Sequence, residues 1–147
     1  MIRSLALCAI VAATVAALGG GTARAGINEI DYATYDARVV DRKGIATDVK
    51  EFGYVTSINI LLAYRGEADV EVPFRLIRTI EIGEFVPEAR RAPCTVTLKT
   101  GKSIALEVDA VESDRLLRGR AEFGEYRIRM GKVRRLELVA LSHTGPD

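Results

Sequence analysis

The sequence predicts an all-β protein made of two similar small sheets packed together. Three observations predict it. Apolar and polar residues alternate at period two, with glycine-containing turns between the runs. A pattern recurs at a spacing of about 56 residues. No long amphipathic helix follows the first 25 residues. A two-sheet sandwich satisfies the same observations and stands as the alternative.

The chain begins with the pattern of a secretory signal. Arg3 gives a positive start, Leu5–Leu18 is an apolar run broken by Thr14, and Ala23-Arg24-Ala25 is a small-residue exit. The run is short for a membrane span, which takes about 20 apolar residues. Residues 1–25 are therefore expected to be cleaved, with no transmembrane segment left behind, and the protein to be periplasmic or extracellular. Cys8 sits inside the apolar run, with no apolar region before it to make a lipid-attachment site.

Cleavage leaves 122 of the 147 residues, enough for one ordinary domain. It removes Arg3 and Arg24 and no acid, so the net charge moves from +1 to −1. A near-neutral chain offers no broad field to nucleic acid, which is not expected as a partner. One cysteine remains, Cys94, so no internal disulfide forms. Apolar Val96 and Leu98 share its alternation, which predicts a buried thiol.

The first repeat covers 26–83. Its lead, Asn28–Ala37, reads as irregular chain or an opening strand. Lys43-Gly44 marks a turn within Ala37–Tyr54. Val70, Val72 and Phe74 alternate, the parity breaks at Arg75-Leu76, and Ile77, Ile80 and Ile82 follow. Pro73 within that run predicts an edge strand. Residues 84–93, with Pro87 and Pro93, read as a linker.

The second repeat covers 94–140. Val96 and Leu98, the Thr100-Gly101 turn, and then Ile104, Leu106, Val108 and Ala110 predict a half-buried hairpin. Leu116–Arg120 predicts a third strand, and Tyr126, Ile128 and Met130 a fourth. The parity breaks at Gly131-Lys132, and Leu136 and Leu138 resume it. A parity break of this kind fits a single 3₁₀ turn or a bulge. The repeat is clearest where Val70 to Ile82 matches Tyr126 to Leu138 without a gap, Arg78 and Glu81 falling on Arg134 and Glu137. Residues 141–147 are expected to form a flexible tail.

Val96-Thr97-Leu98-Lys99-Thr100-Gly101 and Ile128-Arg129-Met130-Gly131-Lys132-Val133-Arg134-Arg135-Leu136 resemble the early hairpin and late motif of the Sm-like small barrel. The resemblance covers about 45 residues of the second repeat and is weaker in the first. It implies a bent five-stranded, Sm- or SH3-like sheet in each repeat. The glycine of the late motif arrives one residue late here, so the RNA site of that family is not carried over. The chain also resembles small exported bacterial β-proteins of unassigned function.

Catalytic groups are sparse. The chain has one histidine, His143, in the expected tail, so no histidine-based triad or histidine-rich metal site can be assembled. No catalytic residue, metal or cofactor is predicted. Asp31, Asp36, Asp41 and Asp48 read as solvated acids. The candidate binding residues are Arg127, Arg129, Arg134, Arg135, Arg75 and Arg78, a basic face if the repeats pack side by side. Guanidinium groups suit carboxylates and phosphates.

These readings predict a non-catalytic binding or structural module of the bacterial cell envelope. It would act through an envelope protein partner or an anionic ligand, at a strand edge or the arginine face. The alternative is a small-ligand carrier or a hydrolase using a groove between the repeats, with Asp36 or Asp41. The oligomeric state is left open.

Overall fold

The computed structural model describes residues 31–143. The expected signal segment, Cys8 within it and residues 144–147 lie outside the described residues. Five strands come first: β1 (Thr34–Asp41), β2 (Ala46–Tyr54), β3 (Ile60–Arg65), β4 (Ala68–Pro73) and β5 (Ile77–Ile82). Five follow: β6 (Arg91–Leu98), β7 (Ser103–Asp109), β8 (Leu116–Ala121), β9 (Gly124–Arg129) and β10 (Val133–His143). A short helix, α1 (Ala110–Asp114), joins β7 to β8. Single 3₁₀ turns at Phe74–Leu76 and Met130–Lys132 occupy the two parity breaks.

The protein is all-β. Its strands form one antiparallel sheet in the order β4-β3-β7-β6-β5-β10-β1-β2-β8-β9, which does not close. The expectation was one sheet from each half of the chain. Instead β3 lies beside β7 and β2 beside β8, so the halves interleave. Five strands alone would bury a marginal core, whereas the interleaved sheet buries one contiguous cluster.

Sequence spacing and sheet order agree. β3, β4, the first 3₁₀ turn and β5 each start 56 residues before β8, β9, the second turn and β10. β1 and β2 start 57 residues before β6 and β7. Exchanging each strand for its match leaves the sheet order unchanged. Ile80 faces Leu136, its own match, at the centre of the β5–β10 pair. On either side Val39 faces Leu136 as Val96 faces Ile80, and Ala37 faces Leu138 as Cys94 faces Ile82.

Local chemistry sets the ends of the strands. Gly44 and Gly101 take φ of 82° and 93° in the β1–β2 and β6–β7 turns, where a side chain would be strained. Asp41 Oδ1 accepts the Lys43 and Ile45 N–H groups at 2.9 and 3.0 Å. Pro73 lies on β4, an end strand of the sheet, as a residue without an N–H requires. β6 starts at Arg91, and β10 continues to His143 because Thr34 and Tyr35 pair with its last residues.

Two carboxylates are buried, and one of them, Asp31, was expected to be solvated. Asp31 is buried just ahead of β1. Its carboxylate accepts the Tyr35 hydroxyl at 2.6 Å and the Ala33 and Arg75 backbone N–H groups at 3.0 Å. Burial first, then this bond, pushes the Tyr35 phenol far up. Buried Asn59 completes the tie, accepting the Tyr54 N–H at 2.7 Å and donating to the Ala33 carbonyl.

The second is Glu112 in α1, also buried. Asp109 caps the helix by accepting the Glu112 N–H at 2.9 Å. The Glu112 carboxylate accepts the Tyr54 hydroxyl and pairs with the Arg115 guanidinium at 2.9 Å. Arg115 lies 3.6 Å above the Tyr54 ring and donates to the Ile60 and Ile58 carbonyls. Burial raises the Glu112 carboxyl above its ordinary range, against the hydrogen bonds and the guanidinium that lower it. Burial also pushes the Cys94 thiol up to about 12, with Glu112 adding to the effect. Cys94 therefore packs as a small apolar residue.

Removing one partner of a buried pair leaves the other charge uncompensated. Arg115→Ala is expected to cost about 3–5 kcal/mol at neutral pH. The carboxyl is raised in the folded state, so its contribution to stability is present below the ordinary carboxylate range. It is lost as pH rises through the raised value. The Arg115→Ala loss should therefore shrink as the pH is lowered, which urea unfolding at several pH values would measure.

Candidate functional site

A cleft of about 780 Å³ opens where the two halves of the chain meet. One wall is Tyr32, Thr34 and the end of β2. The other is the β8–β9 hairpin from Arg118 to Glu125.

An irregularity in β2 makes this cleft. Its register against β8 shifts between Lys50 and Gly53, and its register against β1 shifts between Tyr35 and Ala37. Such shifts bend a strand and re-aim its side chains. Glu51 takes a φ of 52°, a conformation uncommon for a residue of its type. The matched pair β6–β7 keeps one register throughout, so the bulge belongs to one half alone.

Gly119 lets β8 close on the bulge. A Cβ there would press on the Val49 side chain and stand 2.8 Å from the Lys50 carbonyl oxygen. The matched position in β3 is Ala63, where no bulge approaches. Gly53 is required for a similar reason, since a Cβ would meet the Asn59 amide at 2.7 Å.

The cleft carries charges of both signs. Glu51 pairs with Arg120 at 2.8 Å, and both are exposed, so the pair contributes little stability. Arg118 and Glu122 line the same cleft, are exposed, and form no ion pair among the described residues. Tyr32 is 46% exposed at one wall, and Phe123 at the hairpin tip is 77% exposed. The cleft thus presents a donor, an acceptor and the Tyr32 ring, with Phe123 at the nearby hairpin tip. A ligand with both donors and acceptors matches it.

The six arginines expected to form one face are spread over the sheet. Arg127 and Arg129 stand on the end strand β9, held by Glu125 at 3.0 Å and Asp114 at 3.1 Å. Arg135 reaches Glu81 across the β5–β10 pair at 3.0 Å. Arg134 shares a surface depression of about 550 Å³ with Arg135 and Glu81. Arg78 donates to the Lys99 carbonyl at 3.1 Å, three residues back along β5 from Glu81. Arg75 lies in the first 3₁₀ turn, its N–H on Asp31.

Of the two acids considered for a groove, Asp36 lines a separate depression of about 660 Å³ that shares Arg120 and Glu122 with the cleft. Asp36 pairs with Lys50 at 3.4 Å, and Asp41 shapes the β1–β2 turn. Neither lines the cleft. Among the described residues, no group of three or more His, Cys, Asp or Glu is placed to hold a metal ion. No described helix is long and apolar enough to cross a membrane. Glu51, Arg118, Gly119 and Arg120 were not among the residues expected at a site. The isolated Gly119 inside a strand pattern was the available signal, since such a glycine marks a bulge or a close backbone approach.

Fold and cleft together define an all-β protein with an open antiparallel sheet and a surface site at a strand bulge. A family model described as "Uncharacterised protein" matches residues 32–140, and the chain belongs to that family. The match runs from just before β1 into β10 and so takes in β1 to β9 and most of β10. No curated protein matches the chain.

Glycine to alanine within a regular strand ordinarily stabilises by roughly 0.5–1 kcal/mol. Gly119→Ala is expected to do the reverse and cost about 1–3 kcal/mol, because the methyl group overpacks the bulge. Urea unfolding of the two proteins would measure it.

Proposed function

We propose that this protein is a non-catalytic binding module exported to the bacterial cell envelope, and that the cleft at the β2 bulge holds a segment of a partner protein. One observation carries this reading. Arg118 and Glu122, charges of opposite sign with no ion-pair partner among the described residues, line the cleft with exposed Tyr32 at a bulge found in one half of the chain alone, and exposed Phe123 stands at the tip of the same hairpin. Arg, Tyr and Phe are enriched at protein interfaces. A polypeptide also presents donors and acceptors in alternation, as a mixed-charge wall requires. Export rests on the N-terminal apolar run and its small-residue exit.

The shape fits the same reading. The sheet order divides into β4-β3-β7-β6-β5 and β10-β1-β2-β8-β9, and a 3₁₀ turn precedes the last strand of each chain half. Each set resembles the small bent sheet of Sm- and SH3-like domains, with one hairpin supplied by the other half of the chain. A second reading, a small-ligand carrier, is favoured by the cleft volume, which falls within the usual range of about 300–1,000 Å³ for ligand pockets. The depression beside Arg134 and Arg135 is where an anionic ligand would be sought next.

A photo-crosslinking side chain at position 123, in the full chain made by its native host, tests the proposal. One protein should be captured there, and Arg118→Glu should abolish the capture. The same group at exposed position 76 should not capture it. No protein adduct at 123, or equal adducts at both positions, would overturn the reading. A small molecule retained in native mass spectrometry without any protein adduct would establish the carrier instead.

A further inference from the structure

The sheet ends in β4 and β9, each with one side that no described strand covers. Strand direction alternates through all ten strands, so the two ends run in opposite senses. A second copy set beyond the first in the same orientation would thus bring its β4 antiparallel to β9.

The faces agree too. Val70 and Val72 of β4, and Tyr126 and Ile128 of β9, turn toward the core side and are partly or fully buried. Asp69 and Glu71, and Glu125, Arg127 and Arg129, turn outward and are exposed. Placing Glu71 opposite Arg127 puts Asp69 opposite Arg129. The same register sets Val70 against Ile128 and Val72 against Tyr126. These four pairs match by charge or by apolarity, and such pairs are the unit of sheet stabilisation.

The charges also select the partner. Neither Asp69 nor Glu71 makes an ion pair among the described residues, so β4 presents net negative charge. Arg127 and Arg129 are 58% and 53% exposed and remain accessible beside their intramolecular partners. Pairing β4 with another β4 would set acid against acid, which is destabilising. Opposite ends attract.

We propose that this chain assembles with further copies of itself by strand addition, β9 of one copy pairing with β4 of the next in this register. The contact is head-to-tail, so it yields a ring or a filament and not a two-fold dimer. Pro73 lies at one end of the paired segment and removes a single donor there.

Sedimentation velocity of the purified protein over a wide concentration range tests this. At low salt the mass should climb past the dimer with concentration, and added salt should reverse it. Glu71→Arg and Arg127→Glu should each raise the concentration for half-assembly on the order of tenfold, because each sets like charges opposite one another. The double variant swaps the pair and should restore assembly, with circular dichroism confirming that all three variants fold. A monomer at every concentration, a mass that stops at the dimer, or a double variant that fails to recover would each overturn the proposal.

Discussion

β5 and β10 pair antiparallel at the middle of the sheet, and Ile80 and Leu136 face each other there, fully buried. These strands close the two halves of the chain, and their contact joins what would otherwise be two five-stranded pieces. β1 and β6 flank the pair and bury Val39 and Val96 against it. The remaining hairpins then dock outward, β3–β4 on β7 and β8–β9 on β2. Each docking hairpin belongs to the other half of the chain from the strand it meets. The fold thus depends on contacts between residues far apart in sequence, such as Thr34 with His143. Topologies of this kind order slowly, because chain entropy is lost before the contacts form.

Backbone matching between the halves is close, and their polar chemistry is not. Phe74 donates its N–H to the Asn59 carbonyl, and Met130 donates to Arg115, at 2.9 Å in both cases. Asn59 and Arg115 are matched positions, yet their side chains work differently. Asn59 ties the Tyr54 backbone to the lead of β1, whereas Arg115 neutralises a buried carboxylate and stacks on the Tyr54 ring. Tyr54 thus sits between the two devices, its phenol raised by burial and by Glu112. The bulge at Glu51 is another difference of this sort. A surface site on one side of a nearly two-fold sheet arises from such local departures, since regular matched strands would present the same surface twice.

The strands were legible in the sequence because half-buried strands alternate. Val96 and Leu98, or Leu136 and Leu138, declare their inward face without reference to anything distant. The parity breaks at Arg75-Leu76 and Gly131-Lys132 were legible for the same reason, as was the edge position of Pro73. α1 was missed, although Asp109 and Glu112 have the spacing of a helix N-terminus. Its five residues are too few to establish a helical period. Asp31 was read as solvated because a carboxylate gives no local sign that Tyr35 and a backbone N–H from Arg75 will enclose it.

By itself the sequence determined the β class, the turns, the inward face of most strands and the 56-residue spacing, all of which depend on residues near one another. Tertiary structure decided which strands became neighbours. The arginines read as one face were dispersed by that choice, because a shared spacing along the chain does not make residues adjacent across an interleaved sheet. The cleft was likewise decided there. Glu51 and Arg120 stand 69 positions apart, and they meet because a bulge in β2 and the missing side chain of Gly119 let β8 approach.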